Sequence, residues 1–417
     1  MINGIDVVTF AETQSLVATS QDPDALYNRV FISLAAFTTG SPSGTFKSPI
    51  FYPGPTTTLT FANGTSITLP NSAQVSKDLT GVTDGEAFYS SFCIPASTAV
   101  PMTATANPET EPTSTEPAAS STDSSSPAVP TSPGYPFPVV KHSGDVVSGY
   151  FLNSTGFQNV AVLAIPSFAP ASGTEAEFQS VIESFLAEAK QAGKTKLIID
   201  LQANGGGTVP LGIDTFAQLF PPLSPPLSQG NLRATVGTNL LGQGVTDNVA
   251  SVIETAGDNV TARAEAGDGY PYSAYSEIKP DGTEFSSWSD LFGPVSLNND
   301  KFTNLFQDNQ SLPNVPGLIV TGTNNRTGFL QPFAANDMIL VYDGICASTC
   351  AVFSELIKNF GGVQAIAVGG RPQPGPMQGV GGVKGYIMSK VTPSASEKLM
   401  LCKQITSLHL LNACAGG

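Results

Sequence analysis

Met338-Ile-Leu-Val-Tyr-Asp-Gly-Ile-Cys-Ala-Ser-Thr-Cys-Ala-Val-Phe-Ser-Glu355 reads as a buried strand, a turn and the opening of a helix. Met338 to Tyr342 is an apolar run of strand length, and Asp343-Gly344 interrupts it. From Thr349 to Phe360, the apolar residues Val352, Phe353, Leu356, Ile357 and Phe360 recur at helical spacing. Gly361 marks the helix end, and Val363 to Val368 is a second strand. Strand, helix and strand in succession predict a parallel or mixed sheet covered by helices, hence an α/β fold.

The same alternation extends upstream. Val160 to Ile165 is an apolar strand, followed by a helix over Thr174 to Ala192 with Phe178, Val181, Ile182, Phe185, Leu186 and Ala189 on one face. Thr174 suits an N-cap and Gly193 a C-terminal stop. Leu197 to Leu201 is another buried strand, and Leu211 to Leu219 a second helix. Pro221 to Ala334 is rich in Gly, Asn and Pro and yields no assignment. Residues 1–96 alternate Thr, Val, Phe and Tyr between turns at Pro53-Gly54, Asn63-Gly64 and Asp84-Gly85, which predicts a small, mostly β domain. Ser, Thr, Pro, Ala and Glu then dominate 97–134, a composition that buries too little apolar area to offset its ordering entropy; disorder is expected there.

Composition excludes several functions. A formal charge of −15 repels nucleic-acid phosphates and anionic membranes, and no basic stripe compensates for it. No apolar run approaches the roughly 18 residues of a membrane span. Neither a cofactor nor a metal is expected. Met1-Ile-Asn-Gly-Ile-Asp lacks the basic start and apolar stretch of a signal peptide. Glycosylation triplets at Asn63, Asn153, Asn259, Asn309 and Asn325 nevertheless point to an extracellular glycoprotein. Cys346 and Cys350 lie one helical turn apart and suit either a bridge or two small buried apolar groups.

Two stretches can carry chemistry. Leu197-Ile-Ile-Asp-Leu-Gln-Ala-Asn-Gly-Gly-Gly207 runs a strand into three glycines. Without Cβ atoms, their amides can approach a ligand oxygen, as an oxyanion hole requires; the plainer reading is a turn needing positive φ. Ser348 opens a helix. It is either an N-cap, or a nucleophile placed where the helix dipole and free amides stabilise negative charge.

Together these stretches resemble the tail-specific (C-terminal-processing) serine peptidases. Asp200-Leu-Gln-Ala-Asn-Gly-Gly-Gly looks like the family's strand-turn signature, and Asp343-Gly-Ile-Cys-Ala-Ser-Thr-Cys like the segment around its serine. Gly369-Gly-Arg-Pro-Gln-Pro-Gly-Pro-Met-Gln-Gly-Val-Gly-Gly-Val-Lys-Gly385, Tyr135 to Leu152 and Ser286-Ser-Trp-Ser-Asp-Leu-Phe-Gly-Pro294 resemble the secreted fungal branch, itself similar to chlamydial protease-like activity factor. The resemblance implies a crotonase-like core at 135–385, a PDZ-like domain at 1–96, a linker at 97–134 and a divergent tail at 386–417. It implies peptide or protein substrates cleaved through an acyl-enzyme on Ser348, with the amides of Gly206 and Thr349 as oxyanion donors.

The general base departs from the pattern. Bacterial members use a lysine where this chain has Arg371-Pro-Gln-Pro, and arginine does not give up its proton. The fungal and chlamydial branch resembles a Ser–His–Glu arrangement whose histidine precedes the PDZ-like domain and whose acid lies beyond 385, so the chain reads as truncated at both ends. His142 and Lys384 are the remaining candidate bases; the plainer readings are a structural histidine and a strand-end lysine. A catalytically dead peptide-binding relative and an acyl-CoA enzyme of the crotonase superfold are the competing functions.

Overall fold

The computed structural model describes residues 1–40, 44–49, 51–72, 78–93, 134–224, 229–257, 272–308, 318–322 and 328–384. They belong to two compact units, one of Met1–Gly4 with Phe51–Val129, the other of Ile5–Ile50 with the chain from Pro130 onward. The expected disorder of Ser97–Pro133, the tail with His409, Cys402 and Cys414, and the triplets at Asn259, Asn309 and Asn325 lie outside the described residues.

In the larger unit, helices α1 (Val7–Ser15) and α2 (Pro23–Asn28) begin on carboxylate caps. Asp6 accepts from the amides of Val8 and Thr9, and Asp22 from those of Asp24 and Ala25, with Pro23 in the first turn where its missing N–H costs nothing. Reading residues 1–96 as mostly β passes over these two helices. The strands of that block are β1 (Thr56–Thr60) and β2 (Ser66–Pro70), an antiparallel hairpin of the smaller unit in which Thr58 faces Thr68. Met1–Asn3 extends this hairpin: the amides of Asn3 and Thr60 donate to the carbonyls of Thr58 and Met1. A short helix, α3 (Gly85–Phe88), follows in the same unit.

The core of the larger unit is a six-stranded sheet. Its strands are β3 (Val140–Lys141), β4 (Ser148–Phe151), β5 (Val160–Ala164), β6 (Lys196–Asp200), and the later β12 (Met338–Tyr342) and β13 (Gln364–Ala367), in the order β13-β12-β6-β5-β4-β3. β5, β6, β12 and β13 are parallel, and β3 and β4 complete the sheet antiparallel. Leu163, Leu197, Ile199 and Leu340 alternate to one face of the parallel strands and are buried in the core, whereas Val162, Ile198, Ile339 and Val341 on the other face are only partly buried. Helix α4 (Glu175–Gln191) buries Phe178, Val181, Ile182, Phe185, Leu186 and Ala189, the stripe read from the sequence, and Gly193 ends it at φ 66°. Helix α5 (Val209–Leu219) packs beside it. Because β5, β6 and β12 run the same way, the loops after them emerge along one edge of the sheet, where ligands of open α/β sheets bind.

The stretch after Pro221 forms an outlying layer. It holds β7 (Gln229–Gly230), helix α6 (Val236–Ala256), β8 (Glu277–Ile278), helix α7 (Trp288–Phe292), the hairpin β9–β10 (Val295–Leu297, Asp300–Phe302) and β11 (Phe306–Asp308). Ala274, Phe285, Trp288, Leu291 and Phe306 make a small second core. Gly242 in α6 faces the Trp288 indole so closely that a Cβ there would lie 1.9 Å from the ring. Asn239, one turn earlier, accepts from the indole Nε1 at 2.9 Å. Among the described residues, no helix is long and apolar enough to cross a membrane.

Gly242→Ala therefore opposes two effects. Helix propensity favours alanine by about 1 kcal/mol, whereas overpacking against a buried ring costs about 1–3 kcal/mol. Net destabilisation is expected, with a shift in the emission of Trp288, the sole tryptophan. Urea unfolding followed by fluorescence checks it; an increase in stability would mean that the ring moves aside freely.

Candidate functional site

Three loops meet at the carboxyl edge of the sheet. β6 ends at Asp200 and leads into 201–207; β12 ends at Tyr342 and leads through Asp343 to Ser348; β5 leads to Phe168. The buried Asp343 carboxylate joins the first two, accepting from the Ala203 amide at 2.8 Å and the Ile345 amide at 3.0 Å. Buried Asn204 anchors the glycine turn. Its Nδ2 donates to the Ile165 carbonyl at 2.7 Å and its Oδ1 accepts from the Gly206 amide at 2.8 Å. The Phe168 amide donates to the Gly206 carbonyl, and the Thr208 amide to that of Phe168.

Ser348 and the glycine turn are brought together. Gly206 has φ 108°, and a Cβ on it would lie 2.6 Å from Ser348 Cβ, 2.8 Å from the Ala347 carbonyl and 3.0 Å from the Thr349 amide. Only glycine fits this approach. Thr349 Oγ1 donates to the Gly207 carbonyl and closes the joint from the other side. Ser348 itself sits at φ 52°, a left-handed conformation that strains a non-glycine residue. It occupies the N-cap position of helix α8 (Thr349–Glu355), yet its side chain makes no capping bond. Ser348 lines a cavity of about 310 Å³ shared with Thr19, Ser20, Gln21, Arg29, Ile345, Ala347 and 382–384. Cys346 and Cys350 are joined as a disulfide that brackets the serine.

The two expected oxyanion donors differ. Among the described residues, no acceptor engages the Thr349 amide. The Gly206 amide, in contrast, donates to Asn204 Oδ1, so it is turned into its own loop. The candidate bases also part company. His142 is fully buried at the far edge of the sheet, beyond β3. Its Nδ1 accepts from the Gly144 amide at 2.9 Å, and its Nε2 lies 3.1 Å from the Thr174 carbonyl and 3.5 Å from Glu177 Oε2. Four strand spacings of about 4.8 Å place it roughly 19 Å across the sheet from β12, too far to take a proton from Ser348.

Lys384 is near despite its sequence position. The segment 380–384 runs beside 344–348: the amides of Gly381 and Gly382 donate to the carbonyls of Gly344 and Cys346, and the Ser348 amide donates to the Val383 carbonyl at 2.7 Å. Gly381 and Gly382 permit this, since Cβ atoms there would lie 2.4 Å from the Gly344 carbonyl and 2.2 Å from Ala347 Cβ. These glycines were the sequence signal that could have placed the lysine. Lys384 lines the Ser348 cavity, with its Nζ 2.7 Å from Glu355 Oε2.

Helix α2 supports the site from outside the sheet. Asn28 Nδ2 donates to the Asp343 carbonyl at 2.7 Å, and Asn28 Oδ1 accepts from the Gly370 amide at 2.7 Å. Asp24 accepts from both the amide and Nε of Arg371, and this side-chain bond holds its carboxyl below the usual range. Behind the loops, burial pushes Asp200 and Asp343 up; the Tyr135 hydroxyl, 2.7 Å from Asp200, partly offsets this for Asp200.

Residues 1–80 match a CPAF-like PDZ domain, and residues 159–251 match peptidase family S41. The peptidase S41 family protein phomP1′ of Diaporthe leptostromiformis is 32% identical over 433 aligned positions, covering 97% of this chain and 60% of its own length. The peptidase S41 family protein ustP of Aspergillus flavus is 31% identical over 378 positions, covering 86% of this chain and 72% of its own. The chain belongs to peptidase family S41. It spans about 60% of the Diaporthe relative's length. Mature CPAF complexed with lactacystin aligns over 88% of this chain and 62% of that one, at 15% identity and a TM-score of 0.41.

A raised Asp200 has a definite pH signature. Its folded pKa exceeds the unfolded value of about 3.9, so its contribution to stability is full below that value and declines as pH rises through the folded pKa. Asp200→Asn lacks this loss. Urea unfolding of both proteins from acid to neutral pH should show the variant gaining on the wild type as pH rises; a constant difference would refute the elevated carboxyl.

Proposed function

We propose that Ser348 is the nucleophile of a serine-type peptidase site. One observation carries this reading: a serine in the N-cap position, held at positive φ, makes no capping bond and lines a cavity. A strained strand-to-helix turn is how a nucleophile is lifted out of the backbone's own hydrogen bonding. Ser348 Oγ adds to the scissile carbonyl carbon, and the Thr349 amide at the helix start stabilises the oxyanion, aided by the dipole. One such donor is typically worth ~10²–10³ in rate. Collapse breaks the C–N bond, the amine leaves with a proton, and water then hydrolyses the ester. Gly206 contributes mainly by lacking a Cβ; its amide becomes a second donor only on leaving Asn204.

A second reading, a peptide-binding relative without turnover, draws on the base. His142 is sequestered, and Lys384 donates to Glu355. Deprotonation of Ser348 by Lys384 requires it to leave that carboxylate, and positioned general-base catalysis is typically worth ~10²–10⁴. The Cys346–Cys350 bond and the exposed triplets at Asn63 and Asn153 support placing the protein in an oxidising, extracellular compartment.

A fluorophosphonate probe should label Ser348, and casein should be cleaved; Ser348→Ala should abolish both. Lys384→Met should lower the labelling rate ~10²-fold or more if it is the base, while His142→Gln should affect stability rather than labelling. Absence of labelling in well-folded wild type would leave the binding reading.

A further inference from the structure

We infer that Arg29 makes the Ser348 cavity a receptor for a carboxylate of the bound peptide, so that Arg29 is a specificity-determining residue. This deepens the reading of the cavity as the place where substrate lies. Arg29 leaves the end of α2 and lines the cavity together with Ser348. Its Nε donates to Ser20 Oγ at 2.7 Å, which fixes the plane of the guanidinium by a neutral partner on another cavity-lining residue. Among the described residues, no carboxylate lies within ion-pair distance of it.

The neighbouring charges make this unusual. Arg371 is neutralised by Asp24 and Lys384 by Glu355. Arg29 is half-buried and makes no ion pair among the described residues; burial lowers its pKa, the charge of Asp343 offsets this in part, and arginine stays protonated nonetheless. Holding a partly desolvated cation against a single hydroxyl is unfavourable unless an anion completes the site. With Nε occupied, the two terminal nitrogens remain as a planar pair that matches the two oxygens of a carboxylate. A net charge of −15 repels acidic peptides elsewhere, which makes one exposed guanidinium edge more discriminating.

The carboxylate could belong to an Asp or Glu side chain or to the peptide's own C-terminus. Three fluorescent peptides of one neutral sequence separate these: one amidated with an internal Glu, one neutral with a free C-terminal acid, and one neutral and amidated. Anisotropy is measured with full-length Ser348→Ala, alone and combined with Arg29→Gln or Arg29→Lys. At least one acid peptide should bind about 10-fold or more tightly than the neutral amide, and the preference should weaken with salt. Arg29→Gln should erase it and Arg29→Lys should keep part. Equal binding of all three peptides, no binding of any, or a preference surviving Arg29→Gln overturns the proposal. If Arg29→Gln does not fold, loss of the salt-sensitive preference in folded Arg29→Lys supports the bidentate site, and an unaltered preference there overturns it. Probe labelling of wild-type Ser348 is scored separately, so failure of the peptidase reading and failure of carboxylate recognition are told apart.

Discussion

The Asp343 carboxylate holds the carboxyl edge of the sheet together. It sits where β12 ends and accepts one amide from its own turn and one from the loop after β6. It ties the two loops directly to each other, alongside the bond from Thr349 Oγ1 to the Gly207 carbonyl. The carboxylate is buried, and removing its partners would leave an unpaired group in a poorly solvated place, where the cost is several times that of an exposed one. The loops are thus coupled: moving one strips the other of its acceptor.

Around that joint, the backbone does most of the positioning. The carbonyls of Gly344, Cys346 and Val383 pair two segments edge to edge, and the glycines at 206, 381 and 382 supply clearance where backbones pass. The disulfide and the Thr349 hydroxyl bond add side-chain ties on either side of the serine. The cavity beside the serine is lined by short polar side chains, Thr19, Ser20 and Ser348, and by the two cations Arg29 and Lys384.

The parts of this arrangement legible in the sequence are those governed by burial. β5, β6, β12 and the α4 stripe carry apolar patterns that only a covered sheet and its helix produce, and the Ser348 and Gly205–Gly207 motifs could be assigned to strand ends for that reason. Helices α1 and α2 were obscured because few of their residues are buried; they are specified by the caps Asp6 and Asp22 instead. That Lys384 lines the same cavity as Ser348 is not legible in the sequence, because sequence distance says nothing about a segment that folds back as an edge partner. The Gly206 amide could be nominated as a donor from its turn, but the competing Asn204 side chain two residues earlier is visible only in three dimensions.

The ties between α2 and the serine loop join residues far apart in the sequence. Asn28 and Asp343 are 315 positions apart, and Asp24 and Arg371 are 347 apart. Closing such loops costs entropy before any contact repays it, and topologies dominated by remote pairings assemble slowly. During synthesis, α1 and α2 leave the ribosome long before their partners exist. Local folding of α1 and α2 therefore does not by itself complete this brace, which closes only once residues 343–371 have been made.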